Sequence, residues 1–303
     1  MKPSRVGLPK MTDRLSLGET GLLVSPFCLG MVRSEETASA AFDSGINFFF
    51  LSADLHWPGY ELARRGLAKL LARGPEIRDQ IVVAIVSYVT QPEFCAGALR
   101  EGLAAVPGLE SIDVGIIGGA YSDEFLTRLG VYLEIRRDGL LGLKALGTTF
   151  HDRDAALLAI NHQLVDLAFI RYNPTHTGAK SDVFPHLKQP SRTLLYNFKS
   201  TLGFMRPQRY AELGLNDSYW RPEVTDYYRF ALTRPEIDGL LCSPTTPREV
   251  KDLSQALEAG PLDEEEEKYL IDLAALDEGS AVLITNAAAK SMKSNRAARK
   301  HFF

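Results

Sequence analysis

Eight short, predominantly apolar runs, separated by amphipathic stretches, restrict the folds open to this chain. They are Pro26 to Gly30, Ile46 to Leu51, Ile81 to Ser87, Asp113 to Gly118, Leu143 to Thr148, Leu167 to Tyr172, Thr193 to Phe198 and Gly239 to Ser243. Each is rich in Val, Ile, Leu and Phe and does not alternate with polar residues. A parallel strand covered on both faces needs that pattern. Between them helical periodicity runs over Glu35 to Asp43, Glu61 to Leu71, Pro92 to Ala105, Asp123 to Arg137, Asp152 to Asn161, Val224 to Thr233 and Arg248 to Leu257. Pro92 in a first turn, and Asp123 with Glu124 at the positive end of a helix dipole, mark helix starts. The segment between Pro174 and Pro190 is too broken to assign.

Strands alternating with helices predict an α/β fold, a single (β/α)8 TIM barrel over residues 1–303. Residues Arg14 to Val24 read as a hairpin turning at Gly18 to Gly21 and capping the barrel's N-terminal end. A tail is expected over about 279–303. A doubly wound open sheet is the alternative, but no strand leads into a GxGxxG turn.

Composition narrows the function classes. A net charge of −4 and a pI near 5.9 argue against nucleic acid as the main partner, because phosphate binding needs a concentrated basic face. The basic stretch Lys290 to Lys300 reads as a solvated terminus. No apolar run approaches the roughly 20 residues that span a membrane, and Met1 to Arg14 holds no apolar signal core. Cys28, Cys95 and Cys242 have no metal-ligand or disulfide spacing. A cytoplasmic protein acting on a small molecule is expected, with no nucleic-acid or membrane partner. Nothing in the sequence specifies an oligomeric state.

Motifs along nearly the whole chain resemble the aldo-keto reductases. Leu17-Gly18, Thr20-Gly21-Leu22 and Val24-Ser25, then Leu29-Gly30-Met31, resemble that family's opening hairpin and first strand. Gly45 to Ala53 is similar to its Gly-Ile-Asn-Phe-Phe-Asp-Thr-Ala strand, and Arg78-Asp79 to the entry of the third. Lys144 to Thr149, Tyr172-Asn173, Ser243 to Val250 and Gly260 to Glu266 resemble later strands, the cofactor loop and a terminal helix start.

The resemblance implies NADPH-dependent hydride transfer to a carbonyl by an Asp, Tyr, Lys and His tetrad. The corresponding positions hold Leu51, His56, Val86 and Gly118, or Ser52 and Trp57 for the first two if the loop is aligned from Glu61. Without a cation a tyrosine keeps its pKa near 10, and Leu51 and Val86 are expected to make a dry pocket floor. At the nicotinamide-amide positions stand Thr149, Phe150 and Arg171. Tyr196 is at the stacking position, Ser243 and Arg248 are at the phosphate loop, and Leu253 or Asp252 replaces an adenine-binding Asn. The cofactor expectation is either none or NADP.

Active sites of this barrel lie at the C-terminal strand ends, which here carry a different set of functional groups. His56 and Asp54 are candidates for proton transfer, with Arg171 to clamp a carboxylate or oxyanion. Trp57, Tyr60, Tyr88, His151, Tyr172 and Lys199 are candidates for contacting substrate, with Tyr121, Asp152, Asn173 and His176 nearby. Asp54 equally suits a loop cap, Trp57 and Tyr60 a pocket wall, and Arg171 a structural ion pair. No metal is expected, since His56 with Asp54 supplies too few ligands. Three functions follow: a cofactor-free acid–base enzyme, an NADPH-dependent oxidoreductase with His56 as proton donor, and a non-catalytic binding or assembly barrel.

Overall fold

A computed structural model describes residues 7–280. The basic stretch Lys290 to Lys300 lies outside the described residues. A two-stranded antiparallel hairpin, β1 (Leu15–Ser16) and β2 (Leu23–Val24), precedes the barrel. The barrel strands are β3 (Phe27–Leu29), β4 (Phe48–Ser52), β5 (Val82–Ser87), β6 (Val114–Ala120), β7 (Ala145–Phe150), β8 (Leu167–Arg171), β9 (Leu194–Phe198) and β10 (Gly239–Cys242). Each pairs in parallel with its chain neighbours, and β10 closes onto β3.

Helices α1 (Glu36–Asp43), α2 (Glu61–Leu71), α3 (Glu76–Gln80), α4 (Pro92–Ala104), α5 (Phe125–Asp138) and α6 (Arg153–Asn161) wrap the first half. The second half carries α7 (Ala179–Asp182), α8 (Pro207–Glu212), α9 (Val224–Leu232), α10 (Pro247–Glu258) and α11 (Glu264–Asp277). The unassigned Pro174 to Pro190 segment contains α7 and a 3-10 turn, Phe184–His186. Helix α5 begins at Phe125 and not at Asp123, because Tyr121 to Glu124 form a preceding turn.

The hairpin lies against the N-terminal end of the barrel. Gly18, in the left-handed region at φ 55°, faces Asp166 so closely that a Cβ would stand 2.4 Å from its carboxylate. Asn47 latches hairpin to barrel. Its Oδ1 accepts from the Ser25 N–H (2.7 Å) and its Nδ2 donates to the Leu23 carbonyl (2.8 Å). Asp113, Asp166 and Asp238, each at the entry to a strand, accept backbone N–H groups of Val83, Leu146 and Leu195 on the preceding strand. These carboxylates continue the ladder where the barrel's lower rim would otherwise leave N–H groups unpaired.

Register decides what faces the lumen. Phe50 meets Phe169, and Tyr196 meets both Phe48 and Phe169, edge-on at 5.5–6.0 Å. Each such ring contributes on the order of 1.5–3 kcal/mol by burial. In paired parallel strands, partners share a face, so the pairs Phe50 with Ala84 and Ser52 with Val86 put Ser52 and Val86 on the lumen side. Leu51 pairs with Ile85, and Ile85 packs outward where α4 brings Gly102 against it. The expected apolar floor is therefore half right: Val86 contributes to it, whereas Leu51 faces the helices and the hydroxyl of Ser52 takes the inward position.

Candidate functional site

At the mouth, β6 carries an irregularity that opens a cavity. Its register with β7 shifts between Ile117 and Ala120, and Gly119 sits at φ 63°. Such bulges re-aim the chain near functional sites. The Gly119 N–H donates to Thr149 Oγ1 (2.7 Å), which ties the bulge to β7. A Cβ on Gly118 would lie 2.6 Å from the Tyr88 ring, so that ring fills the volume a side chain there would need. Beneath, the guanidinium of Arg128, 2% exposed, donates to the carbonyls of Gly118 (2.9 Å) and Ser87 (3.1 Å) and pairs with Glu124 at 3.0 Å. Tyr88, Thr90, Gly118, Gly119, Tyr121, Asp123, Glu124 and Arg128 line a cavity of about 440 Å³.

Tyr121 and His151 stack at 6.3 Å with rings 25° apart, which sets His151 against a residue that lines this cavity. The His151 ring also meets Phe198 edge-on at 5.5 Å, and the Lys199 ammonium lies 5.8 Å from the centre of the same Phe198 ring. Arg171, the register partner of Phe198, faces the same lumen. It makes no hydrogen bond or ion pair with any described residue, so the expected structural ion pair is not among its contacts. Lys199 holds the left-handed backbone at φ 56°, a strained state for a non-glycine residue. Asn173 Nδ2 supports it by donating to the Lys199 carbonyl (2.9 Å), and Asn197 bonds the Tyr172 N–H and the Ser200 hydroxyl.

This concentration of cations shapes the local acid–base balance. Burial first, then the charges of Lys199 and Arg171, hold His151 below the ordinary histidine pKa. Burial and Arg171 act likewise on His176, against an opposing pull from Glu278. Both rings are thereby held toward the neutral, proton-accepting form. Burial pushes the Tyr60 phenol well above the usual tyrosine range, and the Tyr88 phenol adds to it.

The other candidates separate. His56 is exposed, and its backbone N–H donates to Asp54 Oδ1 (3.0 Å), so Asp54 closes a turn and does not pair with the imidazole. No described hydrogen bond, ion pair or ring contact joins the His56 ring to Arg171. Trp57 and Tyr60 meet edge-on at 5.4 Å, and Tyr60 leans on Phe50 at 6.1 Å, roofing the lumen. Tyr172 does not reach the mouth. It is fully buried on the outer face of β8, stacked on Phe230 at 5.2 Å, because it continues the outward phase of its strand. Asp152 caps α6, accepting from the Asp154 and Ala155 N–H groups and from Ser122.

The residues at the positions that the resemblance gives to a cofactor are engaged within the fold. Tyr196 lies deep in the lumen, fully buried, its hydroxyl donating to the Ser25 carbonyl (2.6 Å) at the N-terminal end, so neither face is open for stacking. Phe150 packs outward on Phe125. Thr149 Oγ1 already accepts from Gly119. The loop before α10 is closed by Glu249, whose carboxylate accepts from the Thr245 N–H (2.7 Å) and hydroxyl (2.6 Å). Arg248 is 90% exposed beside Asp252, and the Ser243 N–H donates to the Tyr228 hydroxyl (3.1 Å). Among the described residues no group of three or more His, Cys, Asp or Glu side chains could hold a metal. No described helix is long and apolar enough to cross a membrane.

Sequence reasoning gave too little weight to Tyr121, and missed Thr90 and Arg128. The adjacent Gly118-Gly119 pair was the available signal for a bulge. Nothing local marks Arg128, since its burial depends on where two neighbouring strands end.

No protein-family model matches the sequence, and neither does any curated protein sequence. Solved structures do resemble it. An aldo-keto reductase from Bacillus halodurans, in its holo form, superposes with a TM-score of 0.67 at 16% identity, covering 91% of this chain and 99% of that one. The glycerol dehydrogenase of Gluconobacter oxydans gives 0.62 at 16% identity, covering 90% and 98%. At such identities the likeness reports architecture alone, and by that measure the chain has the barrel fold of the aldo-keto reductases.

Proposed function

We propose that this barrel is an acid–base enzyme that moves protons on a small organic molecule without hydride transfer. The observation that carries the reading is His151 at the mouth, sharing the Phe198 ring with Lys199, under the charge of Arg171, and stacked on Tyr121, which lines a cavity of about 440 Å³. A neutral imidazole is the form that removes a proton near neutral pH. In the proposed step His151 takes a proton from a carbon next to a carbonyl. The electron pair of that C–H bond moves onto the carbonyl oxygen, whose negative charge faces the Arg171 guanidinium. Returning the proton at another atom completes an isomerisation, and no oxidant or reductant is consumed. Arg171 lowers the barrier by meeting charge that develops only along the reaction. His56, the earlier candidate, lacks that setting.

The test is solvent-deuterium incorporation into a panel of small hydroxy- and keto-acids, followed by NMR without nicotinamide. Exchange that His151→Asn abolishes supports the reading. Exchange that His151→Asn leaves intact removes it.

A second reading is an NADPH-dependent oxidoreductase, favoured by the fold shared with a holo aldo-keto reductase. Titration of the protein with NADPH and NADP separates the two. Micromolar binding would sink the cofactor-free reading, and Glu249→Ala should then tighten it by freeing the Thr245 donors.

A further inference from the structure

The same mouth carries information about what it binds, and the following rests on the reading of His151 as its reactive group. Arg171 is a partly enclosed guanidinium with no described counter-ion, on the lumen face of β8. A charge in that setting is costly unless something compensates it. Lys199 adds a second cation in a strained backbone state, so the fold pays to aim that side chain, and strain of this kind concentrates where ligands are held. Asp152 is engaged in capping α6, Glu124 with Arg128 and Asp182 with Arg153, and the Glu278 charge acts on His176. One requirement on the ligand is therefore a negative group.

A second requirement comes from the cavity beside it. Tyr88 and Tyr121 are large aromatic side chains left 51% and 52% exposed on its walls. Gly118 and Gly119 line the cavity with them and present no side chain, and the Tyr88 ring lies over Gly118. His151 closes one end by stacking on Tyr121. Flat rings favour flat partners, because offset stacking adds about 0.5–1.5 kcal/mol beyond simple burial.

We infer that the site selects a planar organic anion, an aromatic or conjugated molecule bearing a carboxylate or phosphate. The anionic group rests on Arg171 and Lys199, the planar body lies between Tyr88 and Tyr121, and His151 stands at the junction. Arg171 offers paired donors that suit either oxyanion.

Calorimetric titration with benzoate, phenyl phosphate, cyclohexanecarboxylate, neutral benzamide and inorganic phosphate tests this. Benzoate or phenyl phosphate should bind at least tenfold tighter than benzamide, and whichever is tighter identifies the oxyanion. Benzoate should exceed cyclohexanecarboxylate several-fold, and Tyr121→Leu should erase that preference. Arg171→Gln should cost the anions at least tenfold while benzamide is unaffected, and Arg171→Lys should restore much of the loss. Near-UV circular dichroism identifies a variant that fails to fold, and the Arg171→Lys rescue then carries the comparison. Equal binding of anions and benzamide, or anion affinity indifferent to Arg171→Gln, overturns the inference. Inorganic phosphate binding as tightly as phenyl phosphate overturns the planar part. Proton exchange is read separately, in the wild-type protein and in His151→Asn. Failure of the exchange reading therefore leaves binding intact, and failure of binding leaves the exchange result to stand on its own.

Discussion

Replacing Gly118 by alanine isolates the contact that shapes the cavity. The added methyl would stand 2.6 and 2.8 Å from two carbons of the Tyr88 ring and 2.9 Å from the Ser87 carbonyl oxygen. These are separable problems. The ring is 51% exposed and can swing toward solvent, whereas the Ser87 oxygen is held by Arg128 at 3.1 Å. Overpacking of this kind costs about 1–3 kcal/mol. Unfolding entropy of about 2.1 cal/mol/K per residue over 303 residues makes that a fall in Tm of about 2–5 °C. Tyr88→Ala alone should cost little, because the ring is half in solvent. In its background Gly118→Ala should cost at least about 0.5 kcal/mol less, the scale of coupling found between touching residues. Urea unfolding followed by fluorescence of the buried Trp220 measures all four corners of the cycle. Equal cost of Gly118→Ala in both backgrounds, or none in either, would refute the idea that Tyr88 occupies the space Gly118 leaves.

Further predictions address the neighbouring elements. Tyr196→Phe strands the buried Ser25 carbonyl and should lose about 1–3 kcal/mol in denaturant titrations, with ligand affinity unchanged, since the ring lies deep in the lumen. Asp152→Ala should cost about 0.5–2 kcal/mol as a lost helix cap. Its bond from Ser122 is the main cause holding Asp152 below the ordinary carboxylate pKa. The penalty should therefore be full above that ordinary value and shrink as pH falls through the folded one, seen as converging Tm values in acid. His151 has a depressed folded pKa, so it holds its proton less tightly than in the unfolded chain. Stability from this group is present above the ordinary histidine value and is lost as pH falls through the folded one. In Arg171→Gln the His151 NMR titration should move upward, toward that ordinary value. An unmoved curve would show that Arg171 does not act on the ring.

Part of this molecule could be read from residues in order. The run Ile81 to Ser87 is apolar at every position but the last, as a strand buried on both faces requires. With helices between such runs, a closed barrel is the economical solution. The Gly18 to Gly21 turn and the glycines flanking the first strands were legible for the same local reason, as was the importance of the strand ends. Which strand-end residues act together was not legible. Leu51 and Ser52 are adjacent, and an unbroken apolar strand gives no phase by which to decide which of them faces inward. The answer lies in the pairing of Phe50 with Ala84 and in the rings of Phe169 and Tyr196 across the lumen. His56 and Asp54 looked like a pair because they are close in sequence, yet the backbone turn between them consumes the carboxylate. His151, Arg171 and Lys199 come from the ends of three successive strands, and only the parallel pairing of those strands brings their charges together. The sequence by itself determined that the chain must bury parallel strands on both faces, because apolar burial depends on composition along a run. The tertiary structure decided the inward phase, the Gly118 bulge and the cationic mouth, because those depend on register between segments tens of residues apart.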